Sequence, residues 1–276
     1  MRGVVAVDIA KSVFLGVLQG LTEFLPVSSS GHLAIAQELL PGRVTFALAF
    51  DVLLHVGTLV SVLIYFRQDL IAMARALLGQ GASAAAIRAE RRLVLLLAVA
   101  TVPIGIIGLA FAAEVESAFH SITVVGFDLL FTGFALWFAS RHDQGDLSST
   151  KISYAKSAAV GVFQACAVMP GVSRSGMTLV GALICGMERA AAARFAFLLA
   201  IPAIAGATLH SVNDIAQLSD QAPAAVVAGT VAAAITGVFA IEVMMRVVRR
   251  GRLFPFAVYC WAAGSLALVL SGLNGL

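Results

Sequence analysis

Two apolar stretches of this chain are interrupted at the same relative place by a Pro/Ser/Gly cluster, and this shared interruption limits the possible folds more than any other feature. Residues 3–25 and 157–169 each run into such a cluster and resume as a short apolar piece, at 33–40 and 177–187. A helix needs about 20 consecutive apolar residues to cross a bilayer. Six other stretches meet that length without a break: roughly 46–66, 93–113, 120–140, 192–211, 223–245 and 254–273. Over 276 residues, 60% are hydrophobic and 12% charged, too little polar sequence to cover a water-soluble globule. The expected fold is therefore an all-α polytopic membrane protein with six transmembrane helices and two re-entrant helical hairpins. Non-helical backbone at membrane depth survives only where it is packed in protein or lines a wet cavity, so the breaks are also where a site is sought first.

The second broken region repeats the first at an offset of 145 residues. Lys11, Ser12, Gly16, Val17, Gln19, Val27, Ser28, Ser30 and Gly31 recur as Lys156, Ser157, Gly161, Val162, Gln164, Val172, Ser173, Ser175 and Gly176. Each copy is followed by three spanning helices, and an odd number between the copies inserts the second upside down. The chain reads as one membrane domain, 1–276, built as an inverted-topology repeat. Repeat 1 covers about 1–140, with its re-entrant part at 3–40, and repeat 2 about 150–276, with its re-entrant part at 156–187. In such designs discontinuous helices from the two halves meet near the midplane to form a site.

Basic residues set the orientation. Segment 67–92 carries Arg67, Arg75, Arg88, Arg91 and Arg92; segment 141–156 carries Arg141, Lys151 and Lys156; and 246–252 holds four arginines. The opposite loops, 114–119 and 211–222, carry acids and no Lys or Arg. The positive-inside rule makes the arginine-rich loops cytoplasmic. Both termini and the first hairpin's point of insertion then lie outside. Asp8 and Lys11 interrupt what would be the apolar region of a cleavable signal, so the N-terminus is expected to be mature sequence. Cys166, Cys185 and Cys260 lie in apolar stretches without metal-ligand spacing and are expected in the core.

In the first helix Ser12, Gly16, Gln19 and Glu23 share one face. Pro26, Val27, Ser28, Ser29, Ser30, Gly31 and His32 follow at once, placing an acid, three hydroxyls and an imidazole within ten residues. Intramembrane ionisable residues are costly and mark functional sites by default. The second copy keeps Ser173, Ser175 and Gly176 but has Val168 for Glu23, Met177 for His32 and Arg174 for Ser29. One half thus supplies acid, base and hydroxyls and the other a permanent cation, a set suited to phosphate. Asp51 and His55, four apart on the first span, compete between a supporting or metal role and a buried hydrogen-bonded pair. Asp128 is a structural candidate, Glu242 and Arg246 form an i,i+4 pair, and Phe24, Phe46 and Phe50 read as packing or lipid contacts.

The stretch from Gln19 to His32 resembles the first signature of the bacterial undecaprenyl-diphosphate phosphatases, or bacitracin-resistance proteins, and Pro170 to Thr178 resembles their second. The resemblance covers essentially the whole chain. It implies a hydrolase of the bacterial plasma (inner) membrane that cleaves undecaprenyl diphosphate to monophosphate and phosphate, with a divalent cation, Mg²⁺ or Ca²⁺. Such an enzyme recycles the lipid carrier for peptidoglycan synthesis and gives bacitracin resistance. Carried over by position, Glu23, Ser29, His32 and Arg174 are catalytic, and Ser28, Ser30, Gly31, Ser173, Ser175, Gly176 and Thr178 serve the phosphate. Gln19, Asp51 and His55 support them, and Glu23 is a metal-ligand candidate. Gln19 stands where the family has Glu or Gln, which leaves one carboxylate in the acidic motif. The nucleophile is either Ser29, activated by His32, or a water. The basic-loop count turns the site toward the periplasm. The rival expectation is a lipid-carrier flippase or secondary transporter, whose architecture also uses inverted repeats.

Overall fold

The computed structural model describes residues 8–40, 47–118, 121–141 and 145–274. In this region the first broken unit is α1 (Ile9–Phe24) and α2 (Ser29–Leu39). Next, α3 (Ala47–Tyr65) bends by 75° into α4 (Arg67–Leu77), followed by α5 (Ala84–Ala110), α6 (Ala112–Ala118) and α7 (Ile122–Ser140). The second broken unit is α8 (Tyr154–Cys166) and α9 (Arg174–Ile184). It leads to α10 (Arg189–His210), α11 (Val212–Gln221), α12 (Pro223–Arg249) and α13 (Phe254–Asn274).

The six expected spans correspond to α3, α5, α7, α10, α12 and α13. Among the described residues five are long and apolar enough to cross a membrane alone, and six if α3 with its bent continuation is one span. The protein is a multi-pass helical membrane protein. Two boundaries differ from expectation: α5 starts at Ala84 rather than 93, capped by the Ser83 hydroxyl, and α12 runs on to Arg249. Apolarity marks only the part of a helix that must sit in lipid, whereas hydrogen bonding carries the helix on through Arg88, Glu90 and Arg246. On α7 the rings of Phe127, Phe131, Phe134 and Phe138 are all about half exposed on one face, a stripe that suits lipid rather than water. Phe24 and Phe50 are fully buried, while Phe46 lies outside the described residues. Of the three cysteines only Cys260 is buried, and Cys166 is exposed, because it ends α8 at the turn rather than on the packed face.

Small residues bring the broken units into the bundle. A Cβ at Gly16 would lie 2.2 Å from the Gly229 carbonyl oxygen, and one at Gly20 would lie 2.6 Å from that of Ala233, so α1 runs alongside α12 in the same direction. The second unit does the same against α5: a Cβ at Gly161 would meet the Ala100 carbonyl oxygen at 2.3 Å, and Ser157 Oγ donates to Leu96 O at 2.6 Å. With little hydrophobic drive between helices in lipid, close backbone approach of this kind is what holds them together. Gly16 and Gly161, a pair that recurs in the sequence, therefore occupy equivalent packing positions. Each first helix lies against a span from the other half of the chain. This brings the two breaks, 25–28 and 167–173, together inside the bundle.

Candidate active site

The two breaks touch through reciprocal contacts. Ser30 Oγ accepts from the Gly171 N–H at 3.3 Å, and Ser175 Oγ donates to Leu25 O at 3.1 Å. A Cβ on Gly31 would lie 3.3 Å from Gly171 Cα, and one on Gly176 would lie 3.3 Å from Pro26 Cβ. Each break closes on itself in the same way. Ser28 Oγ accepts from Gly31 N–H at 3.2 Å and lies 3.3 Å from Ser30 Oγ; Ser173 Oγ accepts from Gly176 N–H at 3.1 Å and lies 3.3 Å from Ser175 Oγ. These are N-cap bonds, and they start α2 and α9 with their N-termini against the opposite break. Such ends favour anions. The turns are sharp: Gly171 has φ +102°, which suits glycine, and Ser28 has φ +68°, a conformation that costs a side-chain-bearing residue about 1–3 kcal/mol.

Glu23 ends α1 at this contact, with its carboxylate 3% exposed. Its Oε2 accepts from Ser29 Oγ at 2.5 Å and from Gln19 Nε2 at 2.8 Å, and lies 3.4 Å from His55 Nε2. Its Oε1 receives Arg174 Nη2 from the start of α9. His55 Nδ1 pairs with the Asp51 carbonyl oxygen at 2.7 Å, and that oxygen can only accept, so the Nδ1 carries hydrogen. The Nε2 edge is thereby turned to Glu23. Asp51 itself accepts from Gln37 Nε2 at 2.6 Å, so Asp51 and His55 meet through a backbone oxygen rather than through the carboxylate.

Of the expected residues, Gln19, Ser29, His55 and Arg174 therefore converge on Glu23. His32 does not join them. It stands one turn beyond Ser29 on α2, but its Nδ1 pairs with Ser28 O at 2.7 Å and its Nε2 with Tyr259 Oη at 2.6 Å. The group beside the Ser29 hydroxyl is thus Glu23, where sequence reasoning put His32. The Ser28, Ser30, Ser173 and Ser175 hydroxyls shape the two breaks, and Thr178 Oγ1 donates to Arg174 O at 2.8 Å.

Residues 12–266 match the family described as bacitracin resistance protein BacA. The chain belongs to the BacA family. It is 46% identical over 261 residues to a protein of Syntrophotalea carbinolica, covering 94% of this chain and 98% of that one. It is 44% identical to one of Desulfosudis oleivorans over 94% of this chain and 97% of that one. A relative from Methanobrevibacter smithii is 39% identical over 95% of this chain and 97% of its own. All three relatives are named undecaprenyl-diphosphatase.

Two polar residues of this BacA-family protein escaped the sequence reading. Tyr259 reaches His32 from α13, and Thr132 of α7 accepts from Ser173 N–H at 3.0 Å and donates to Gly171 O at 3.4 Å, pinning the second break. Neither lies near a signature, and each is one of a few scattered polar residues in an apolar helix, so no local pattern marks it. Asp128, the structural candidate, lies against Gly171, and Glu242 pairs with Arg246 at 2.7 Å as expected. Among the described residues no three His, Cys, Asp or Glu side chains are grouped to hold a metal ion. Magnesium is commonly bound by one or two carboxylates plus substrate phosphates, a pattern that the single carboxylate of Glu23 fits.

Proposed function

We propose that this chain is an undecaprenyl-diphosphate phosphatase, hydrolysing the membrane-embedded diphosphate to monophosphate and phosphate and so returning the lipid carrier to peptidoglycan synthesis. The printed names of its relatives support hydrolysis and lend nothing to the flippase alternative. The observation that carries the reading is the Ser29 hydroxyl donating to Glu23 at 2.5 Å while Arg174 enters the same carboxylate from the opposite repeat. A nucleophile, a base and an anion-binding fork are the parts that phosphoryl transfer requires.

In this reading the guanidinium, with five donors, keeps N–H groups for the phosphoryl oxygens beyond the one on Glu23. Diphosphate on Arg174 draws it from the carboxylate and frees Glu23 to take the Ser29 proton. Ser29 Oγ then bonds to the terminal phosphorus, the bond from that phosphorus to the bridging oxygen breaks, and the lipid monophosphate leaves. Water next attacks the phosphoserine, restoring the Ser29 hydroxyl and releasing phosphate, with His32 as the second proton-transfer group. A divalent cation, Mg²⁺ or Ca²⁺, would be held by Glu23 with substrate oxygens and would neutralise charge on the diphosphate.

The inverted repeat explains why the catalytic set is split: the two breaks are equivalent scaffolds that carry unlike residues. The arginine-rich ends of α4, α5 and α12 support a cytoplasmic placement for that side and a plasma-membrane protein whose Glu23 site opens outward. Phosphate release from C55 diphosphate by purified protein in detergent, with and without chelator, tests the activity. Absence of release at any metal concentration would overturn it, since hydrolysis, unlike transport, needs no second compartment.

A further inference from the structure

His32 Nδ1 faces the Ser28 carbonyl oxygen at 2.7 Å, which only accepts, so the ring proton sits on Nδ1. In the neutral ring Nε2 is then a lone-pair acceptor, and the Tyr259 hydroxyl donates to it at 2.6 Å. The two rings lie 7° from parallel with centroids 5.6 Å apart, which leaves the imidazole little freedom to turn. Tyr259 is itself held in place: the next residue on α13, Cys260, is buried and donates through Sγ to Pro26 O of the first break at 3.5 Å. Helix α13 is also locked to α7, where a Cβ on Gly264 would meet the Gly126 carbonyl oxygen at 2.7 Å.

From this we infer that Tyr259 is a positioning residue for His32: its hydroxyl holds the orientation of the ring set by Ser28 and sits on Nε2, the nitrogen through which His32 would exchange a proton during turnover. The inference rests on the phosphatase reading, in which His32 is the second proton-transfer group. It goes beyond that reading by assigning a role to a residue in the last helix, outside both signatures. The contact is long-range, between residues 227 positions apart. It ties the first break to α13 as well as to α9. Because Nδ1 is committed to Ser28, Nε2 is the nitrogen that would exchange a proton, and in the resting site its lone pair is directed at the Tyr259 hydroxyl.

The test is Tyr259→Phe, which keeps the ring and removes only the hydroxyl. The chain has five histidines, so ring-nitrogen NMR of protein labelled with ¹⁵N-histidine can be assigned by the signal lost in His32→Gln. In the unaltered protein His32 should show a protonated Nδ1 and an unprotonated, hydrogen-bonded Nε2. In Tyr259→Phe the Nε2 signal should shift to that of an unprotonated nitrogen without its hydrogen bond, while Ser28 keeps the proton on Nδ1. With C55 diphosphate as substrate, kcat should fall by about tenfold, as for the loss of one hydrogen bond in the transition state, with KM within about twofold. In the His32→Gln background the same change should have no further effect on the residual rate. An unchanged His32 spectrum, an unchanged kcat, or an undiminished effect without His32 each overturns the assignment. If the unaltered protein released no phosphate, the phosphatase reading would fail, while the NMR arm would still decide whether the Tyr259 hydroxyl holds His32 through Nε2.

Discussion

Glu23 and Arg174, 151 residues apart in the chain, form an ion pair from Arg174 Nη2 to Glu23 Oε1 across the contact between the two helix breaks. Both charges are largely withdrawn from solvent, with side chains 3% and 18% exposed. Desolvation of each ion costs several kcal/mol, and mutual attraction offsets this only when further hydrogen bonds satisfy the remaining oxygens. Gln19 and Ser29 supply those bonds on Oε2. The pair is therefore both part of the site and part of what holds the two halves together.

Replacing Arg174 separates these two roles. Arg174→Lys keeps the charge beside Glu23 but loses the planar fork, so it should insert and melt nearly as the unaltered protein while phosphate release drops by about 10²–10³. Arg174→Ala leaves a buried carboxylate unpaired and should in addition destabilise by about 3–5 kcal/mol. Parallel melting curves and phosphate assays in detergent distinguish the two variants. More than half the activity in Arg174→Lys would refute the fork.

Glu23→Gln removes the partner of Ser29 and of Arg174 together. Turnover should be lost at every metal concentration, and stability should fall because the guanidinium stays buried without its counter-charge. In the double variant Glu23→Gln/Arg174→Gln the loss of stability should be smaller than the sum of the two single losses, since neither charge remains. Strict additivity in denaturation would show that the two side chains do not interact.

His55 should matter more than its place outside the signatures suggests. Its Nε2 lies 3.4 Å from Glu23 Oε2 and, with Nδ1 already on Asp51 O, supports that carboxylate as the imidazolium, so His55→Gln should reduce kcat by about tenfold, as for the loss of one charge contact, with little change in KM. Steady-state kinetics at saturating substrate checks this. An unchanged kcat would leave His55 a packing residue.

The glycine seam between α1 and α12 gives a prediction on stability alone. A Cβ at Gly16 would lie 2.2 Å from the Gly229 carbonyl oxygen, and backbone there has no room to yield. Gly16→Ala should cost at least about 1–3 kcal/mol. Gly105→Ala, with nothing within 4 Å of the added carbon, should be neutral or gain up to about 1 kcal/mol from helix propensity. Melting temperatures of the two variants should move in different directions or by clearly different amounts.

Membrane orientation is checked by cysteine labelling in intact cells after Cys166, Cys185 and Cys260 are replaced. Single cysteines at the exposed positions Ser117 and Asn213 should react with an impermeant reagent, and one at Arg88 should not. The opposite pattern would turn the site toward the cytoplasm.

By itself the sequence determined the membrane class, the six spans, the two breaks and the residue types at them. Each of these is written in local pattern: runs of apolar residues about the thickness of a bilayer, and Pro/Ser/Gly clusters that interrupt them. The repeat also disclosed that Glu23 and Arg174 belong to equivalent scaffolds. Which atoms meet was decided by tertiary structure. Sequence spacing put Ser29 within reach of both Glu23 and His32, yet Ser28, at once a left-handed turn and the N-cap of α2, aims the Ser29 hydroxyl at Glu23 and turns His32 toward α13. The parts played by Tyr259, Thr132 and His55 depend on helices brought together by glycine contacts between distant segments. A scattered polar residue in an apolar helix looks the same in sequence whether it faces lipid, a packed neighbour or a catalytic side chain, because its partner lies in a part of the chain that only folding brings near.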